Sequence, residues 1–223
     1  MVKKEPNLEA VEPGRRERRR AETHTRIFEA AMKLFSERGF NNTPVEDITN
    51  AADVAKGTFF NYFPNKEAIL EALAERQLGV IVEAEERAKT APSVRPVLIE
   101  MAHKLAARPS RSQLLLRSMM GAALTHSSMT KLLGKVLELG RGRVANIIQR
   151  GQELGEIRTD MPAVELARIL QHSIMGTHVI WAISPLSDLD IWIEKTFDVI
   201  WRGLAEQPKA PAGSVPADVR STT

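Results

Sequence analysis

The sequence contains no cysteine, which excludes disulfide frameworks, thiol nucleophiles, thiolate zinc sites and iron–sulfur ligation, and suits a reducing compartment. Aromatic residues are scarce: 5% of the chain, with a single tyrosine, is little for a β-rich core and points to an all-α protein. No stretch approaches the roughly 20 uninterrupted apolar residues of a membrane span. Even the greasiest segment, 164–183, is broken by Glu165, Arg168, Gln171, His172 and His178. The first residues run into arginines rather than into the apolar centre of a secretory signal. A soluble, cytoplasmic protein without a membrane partner is the expectation.

What is present is an ordinary globular composition, 43% hydrophobic and 26% charged over 223 residues, long enough to bury a core without staples. A net charge of +3 is too small to announce a nucleic-acid partner by itself. Its distribution is more informative. Arg15, Arg16, Arg18, Arg19 and Arg20 concentrate positive charge just before the first periodic segment, as a phosphate-seeking arm would.

Between two tails poor in pattern, the chain shows only helical periodicity. A first helix is expected over 22–38, where Ile27, Ala30, Ala31, Leu34 and Phe35 make one apolar stripe. Gly39 ends it as a left-handed residue that lets Phe35 and Phe40 touch. Thr43, Pro44 and Glu46 read as a capping box for a short second helix, and Lys56 to Tyr62 as a short third one. Pro64 stops that helix, and Asn65 caps a long fourth one to about residue 89. Five more helices follow, over 94–105, 111–124, 128–154, 162–183 and from a Ser187 cap to about 204. All phenylalanines but Phe197 precede residue 64 and all tryptophans follow residue 173, which implies two cores, one on each side of the fourth helix. The expected organisation is a disordered basic arm (1–20), a helix-turn-helix domain (21–66), a helical effector-binding and dimerisation domain (67–207) and a disordered tail (208–223).

Two short helices joined by a tight turn inside a three-helix unit let one helix enter a DNA major groove while its neighbour crosses the backbone. The second would carry the reading side chains. Here it offers Lys56 as a cation for phosphate or guanine, Gly57 for close backbone approach, and the Thr58 hydroxyl or methyl, while Phe59 and Phe63 suit the core.

Residues 25–70, with the Gly39-Phe40 stop, Thr43, the stretch KGTFFNYF and the Phe63-Pro64-Asn65-Lys66-Glu67 entry to the fourth helix, closely resemble the DNA-binding domain of the tetracycline-repressor-like (TetR) family of bacterial regulators. The resemblance implies a homodimer on palindromic double-stranded DNA, released when a small molecule binds the carboxy-terminal helices. It implies phosphate contacts for Thr43, Tyr62 and Lys66, and groove-facing roles for Lys56, Thr58 and Asn61. The sequence departs from the family pattern at Asp53, where glycine is usual, at Ala55, where a hydroxyl cap is usual, and at Phe60, where tyrosine is common.

An enzyme is disfavoured, since no HExxH pair, phosphate-binding glycine loop or GxSxG elbow occurs. No cofactor or metal is expected either: His103, His126, His172 and His178 are scattered. The remaining alternative is a non-specific architectural DNA-binding protein, which would want dispersed basic faces and wedge residues. For the effector, Met101, Met119, Met120, Met175, His178 and Trp181 would suit a pliable, mostly apolar pocket. The dimer is expected through the eighth and ninth helices, whose apolar surface exceeds what one partner helix can cover.

Overall fold

A computed structural model describes residues 14–107, 112–184 and 188–205. These form α1 (Arg15–Arg38), α2 (Val45–Ala51), α3 (Lys56–Tyr62), α4 (Glu67–Ala88), α5 (Arg95–Ala106), α6 (Gln113–Thr125), α7 (Ser127–Glu153), α8 (Ala163–Ile183) and α9 (Leu189–Leu204). The only β pairing among the described residues is an isolated bridge between Ile157 and Ala205. The all-α expectation holds. The expected cap Ser187 lies outside the described residues, and α9 is capped instead by Asp188, whose carboxylate accepts from the Asp190 amide at 3.0 Å.

The start of α1 corrects the sequence reading. The helix begins at Arg15, not Glu22, so the arginine run is helical; the tail segments 1–13 and 206–223 lie outside the described residues. Arginine and glutamate are good helix formers, and the Glu17 carboxylate accepts from the Gly14 amide at 3.0 Å, meeting a donor that the first turn would otherwise leave open. At the other end the Gly39 amide donates to the Phe35 carbonyl at 3.0 Å. Gly39 sits at φ 83°, ψ 158°, a region essentially reserved for glycine, and not in the left-handed helical well expected. The Phe35 and Phe40 rings meet edge to face, 5.0 Å between centroids.

The chain divides into two compact units. The first comprises residues 1–78, 105–136 and 179–186, the second 79–104, 137–178 and 187–223. This too corrects an expectation, because the first core does not close before α4. Ile27, Ala31, Phe35, Phe40, Ile48, Phe59, Phe63, Ile69 and Leu73 are joined in one cluster by Leu115 and Ala122 of α6 and Met129 of α7. Two serines hold it there: the hydroxyl of Ser112, the N-cap of α6, donates to the Ser36 carbonyl at 3.1 Å, and the Ser118 hydroxyl within α6 accepts from the Phe40 amide at 3.3 Å. The apolar stripe of α6 was visible in sequence, but its partner was not.

In the second unit close packing and polar contacts fix the turn after α7. Gly151 lies so close to Val94 and Ile157 that an added Cβ would stand 2.7 and 2.6 Å from them. The Glu156 carboxylate accepts from the Ser93 hydroxyl and the Val94 amide, and Gln152 donates to the carbonyls of Arg158 and Met161. Glu85 of α4 receives Arg143 and Asn146 of α7, both at 2.6 Å.

Candidate nucleic-acid interface

The turn between α2 and α3 is built on Asp53, the one described non-glycine residue with positive φ, at 49°. Aspartate enters this region more readily than most residues, so it can stand where glycine is usual. The Val54 amide returns to the Thr49 carbonyl at 3.0 Å, and the Thr49 hydroxyl donates to the Glu46 carbonyl at 2.8 Å. The start of α3 at Ala55 has no side-chain cap, as the alanine dictates.

On α3 the two sides differ sharply. Phe59 is fully buried and Phe63, just past the helix end, is 2% exposed. Lys56, Gly57, Phe60 and Asn61 are exposed, and Thr58 and Tyr62 are half-buried. A Cβ built on Gly57 would meet nothing within 4 Å, so its surface is open to whatever approaches. The Lys56 ammonium is ion-paired with Glu46 of α2, and Lys56 in turn holds the Glu46 carboxyl below the usual carboxylate range. On the same α2 turn, Asp47 receives Arg38 at 2.8 Å.

Thr43 and Lys66 are placed differently from the phosphate contacts expected of them. Thr43 is fully buried, and its hydroxyl donates to the Gly39 carbonyl at 2.8 Å. The capping box therefore does not form; Pro44 is the N-cap residue, and Glu46 has turned to Lys56. A carbonyl fixed within reach inside the α1–α2 turn outcompetes a helix amide that water can satisfy. Lys66 donates to the carbonyls of Phe40 at 2.7 Å and Thr43 at 3.0 Å, and lies 4.3 Å from the centre of the Phe40 ring. Burial pushes its pKa below the usual lysine value, with Glu67 acting the other way.

His24 is a residue that sequence reasoning passed over. It stacks on Phe63 at 4.6 Å between centroids and meets Tyr62 edge-on at 6.3 Å, bracing the end of α3 against α1. Burial, then the nearby Arg76 charge, lowers its pKa below the ordinary 6.5, opposed by Glu75. A histidine four residues before the Phe28 core position, with an aromatic pair far along the chain, gives no local sequence signal of this contact.

Residues 27–73 match the family model of bacterial regulatory proteins of the tetR family. The solved structure of Thermus thermophilus FadR, a TetR-family transcriptional repressor in complex with lauroyl-CoA, is 32% identical, with 85% of this chain and 100% of that one covered at a TM-score of 0.59. The chain belongs to the TetR family. It is therefore a transcriptional regulator of helix-turn-helix type. The HTH-type transcriptional regulator TtgR of Pseudomonas putida is 26% identical, over 80% of this chain and 91% of that protein. Two Bacillus subtilis regulators, YuxN and YvdT, match more strongly but only locally, at 48% and 38% identity over 15% and 28% of their own lengths.

The residues expected for a TetR-family effector pocket are distributed over both units. Met101, Met175 and His178 belong to the second, and Met119, Met120 and Trp181 to the first. Met101 is buried and the other five are half-buried. His178 is engaged through Nδ1 with the Ile174 carbonyl at 2.8 Å. A groove in the second unit lined by Glu85, Ala88, Lys89, Asn146, Gln149, Arg150 and Glu153 includes none of the six. Among the described residues no cluster suited to a metal ion occurs, and no helix is long and apolar enough to cross a membrane.

Proposed function

We propose that this TetR-family regulator is a repressor that binds a palindromic operator as a homodimer and is released by an amphipathic small molecule. The observation that carries the DNA reading is the division of α3, whose Phe59 is sealed in the core while Lys56, Gly57 and Asn61 are exposed. A recognition helix needs that combination: a rigid inner face and side chains of hydrogen-bonding capacity on the other. Lys56 and Asn61 are the proposed base readers, with Thr58 beside them, Gly57 allowing close approach and Tyr62 holding a phosphate. Thr43 and Lys66 are assigned to the interior, where they hold the turn that orients α2.

Dimerisation is proposed through α8 and α9. The outward sides of these helices keep Ile169, Ile191, Trp192 and Val199 between 45% and 72% exposed, apolar area that a symmetric partner would remove from water. The effector is proposed to be an amphipathic molecule with a long apolar part, on the precedent of the lauroyl-CoA held by the Thermus relative. Met101, Met175 and His178 in the second unit are its candidate contacts.

The test is enrichment of genomic fragments on the full chain followed by footprinting. Discrete protection of an inverted repeat, lost on adding an acyl-CoA, is the expected result. Uniform protection without sequence preference would replace the regulator reading with that of an architectural protein.

A further inference from the structure

We infer that one face of the helical extension of α1, through Arg16 and Arg20, holds the DNA backbone beside the proposed reading surface. The inference rests on the DNA-binding reading above and assigns the residues that hold the backbone.

Three observations carry it. The first is that four cations on and around the helix-turn-helix, from α1, α3, the α4 entry and α4, are already engaged within the protein. Arg38 is paired with Asp47, Lys56 with Glu46, Lys66 donates inward to two carbonyls, and the Arg76 guanidinium stands over the Phe28 ring, 3.8 Å from its centre. Each would have to give up a partner in order to neutralise a phosphate. Arg16 and Arg20 are exposed, and no ion pair holds them among the described residues.

The second observation is that these two arginines belong to a regular helix. Because α1 starts at Arg15, their direction is set by the helical period of about 3.6 residues per turn. Arg20 and Arg16 precede Ile27 by seven and eleven residues, which places both within about 20° of its direction. Ile27 is fully buried against the core. The same stripe that buries Ile27 therefore continues outward past the core as a ridge of two arginines. Arg15 and Arg26 fall about 100–120° away, on the flank of the helix.

The third observation fixes where this ridge stands. His24 touches Tyr62 and Phe63 at the end of α3, and Arg20 and Arg16 follow it along the helix by one and two turns, about 6 and 12 Å. The ridge thus runs out from the Tyr62 edge of the reading surface. Guanidinium groups there meet the sugar–phosphate backbone flanking the half-site, where a planar fork of donors can bind phosphate oxygens in pairs.

The experiment uses the full chain and a 30-base-pair duplex enriched by the wild-type protein from a random-sequence library, titrated from 50 to 300 mM salt. The double variant Arg16→Ala/Arg20→Ala is compared with the charge-matched Arg15→Ala/Arg26→Ala, and circular dichroism and melting confirm that both remain folded. The expected result for the first is a salt slope flatter by about two per subunit and a loss on the order of tenfold per arginine at 50 mM, with unchanged base preference. The second should lose far less. Equal losses from both pairs would overturn the inference in favour of a diffuse positive field, and undiminished affinity in the first would make the run a solvated leader. Failure of the wild-type chain to enrich any sequence would instead remove the DNA-binding reading, and this inference with it.

Discussion

The Lys66 ammonium is bound 2.7 Å from the Phe40 carbonyl and rests over the ring of the same residue. One lysine thus closes the α1–α2 turn onto the start of α4, inside a site that also holds the Thr43 carbonyl. Lys66→Met keeps the apolar stem but leaves two carbonyls without their charged donor, and a cost of about 1–3 kcal/mol is expected. Urea denaturation measures it. A variant of wild-type stability that binds every duplex more weakly would return Lys66 to the DNA backbone.

Glu46 and Lys56 face each other across α2 and α3 at the proposed reading surface. Glu46→Gln releases the Lys56 ammonium for phosphate, so binding to mixed-sequence DNA should strengthen and its salt slope should steepen by about one per subunit. Lys56→Ala should instead relax preference at a single position of each half-site, by ~1–3 kcal/mol. The two variants are separable by competition titration with singly substituted duplexes; matching effects would deny the pair its assigned roles.

Two glycines provide opposite tests of fold and function. Gly39→Ala places a side chain at φ 83°, with its Cβ 3.2 Å from the Ser118 hydroxyl oxygen, and should destabilise by about 1–3 kcal/mol. Gly57→Ala meets open space within α3 and should stabilise the fold by roughly 0.5–1 kcal/mol while weakening DNA binding, if the backbone is approached closely there. Thermal melts beside binding curves decide it, and unchanged affinity in Gly57→Ala would remove the close-approach role.

The stacked His24 makes stability depend on pH. Its pKa is lowered in the folded state by burial and then by Arg76, so the unfolded chain takes up the proton first as pH falls. The stabilisation is complete above the ordinary 6.5 and is lost as pH drops from there through the lower folded value. His24→Gln should flatten that part of the profile in denaturation midpoints collected across the acid range. Identical slopes in the two proteins would place the titration elsewhere.

For the dimer, Val199 is 72% exposed on α9 and faces no core, so Val199→Glu should leave helix content and melting of the monomer intact. Sedimentation should nevertheless show dissociation, because a carboxylate would be buried opposite its own copy. An unaltered dimer would move the interface away from this face of α9.

Much of this protein was determined by its sequence alone, because the relevant signals are local. The period of Ile27, Ala31, Leu34 and Phe35 makes α1 amphipathic, Asn65 accepts from the Ala68 amide as a cap should, and α3 runs from Lys56 to Tyr62 with Phe59 and Phe63 inward as expected. Spacing reports which face of a helix is apolar, and short-range capping chemistry reports where it stops. Neither reports which distant group a polar side chain will find. Thr43 found the Gly39 carbonyl, Glu46 found Lys56, and Lys66 found two carbonyls more than twenty residues away. Only the tertiary structure decided that α6 would complete the core of the reading head, since several greasy helices offered equivalent stripes and the Ser112 and Ser118 hydroxyls select among them by geometry. The same holds for the arginine run, whose charge is plain in the sequence but whose direction exists only because the helix continues through it.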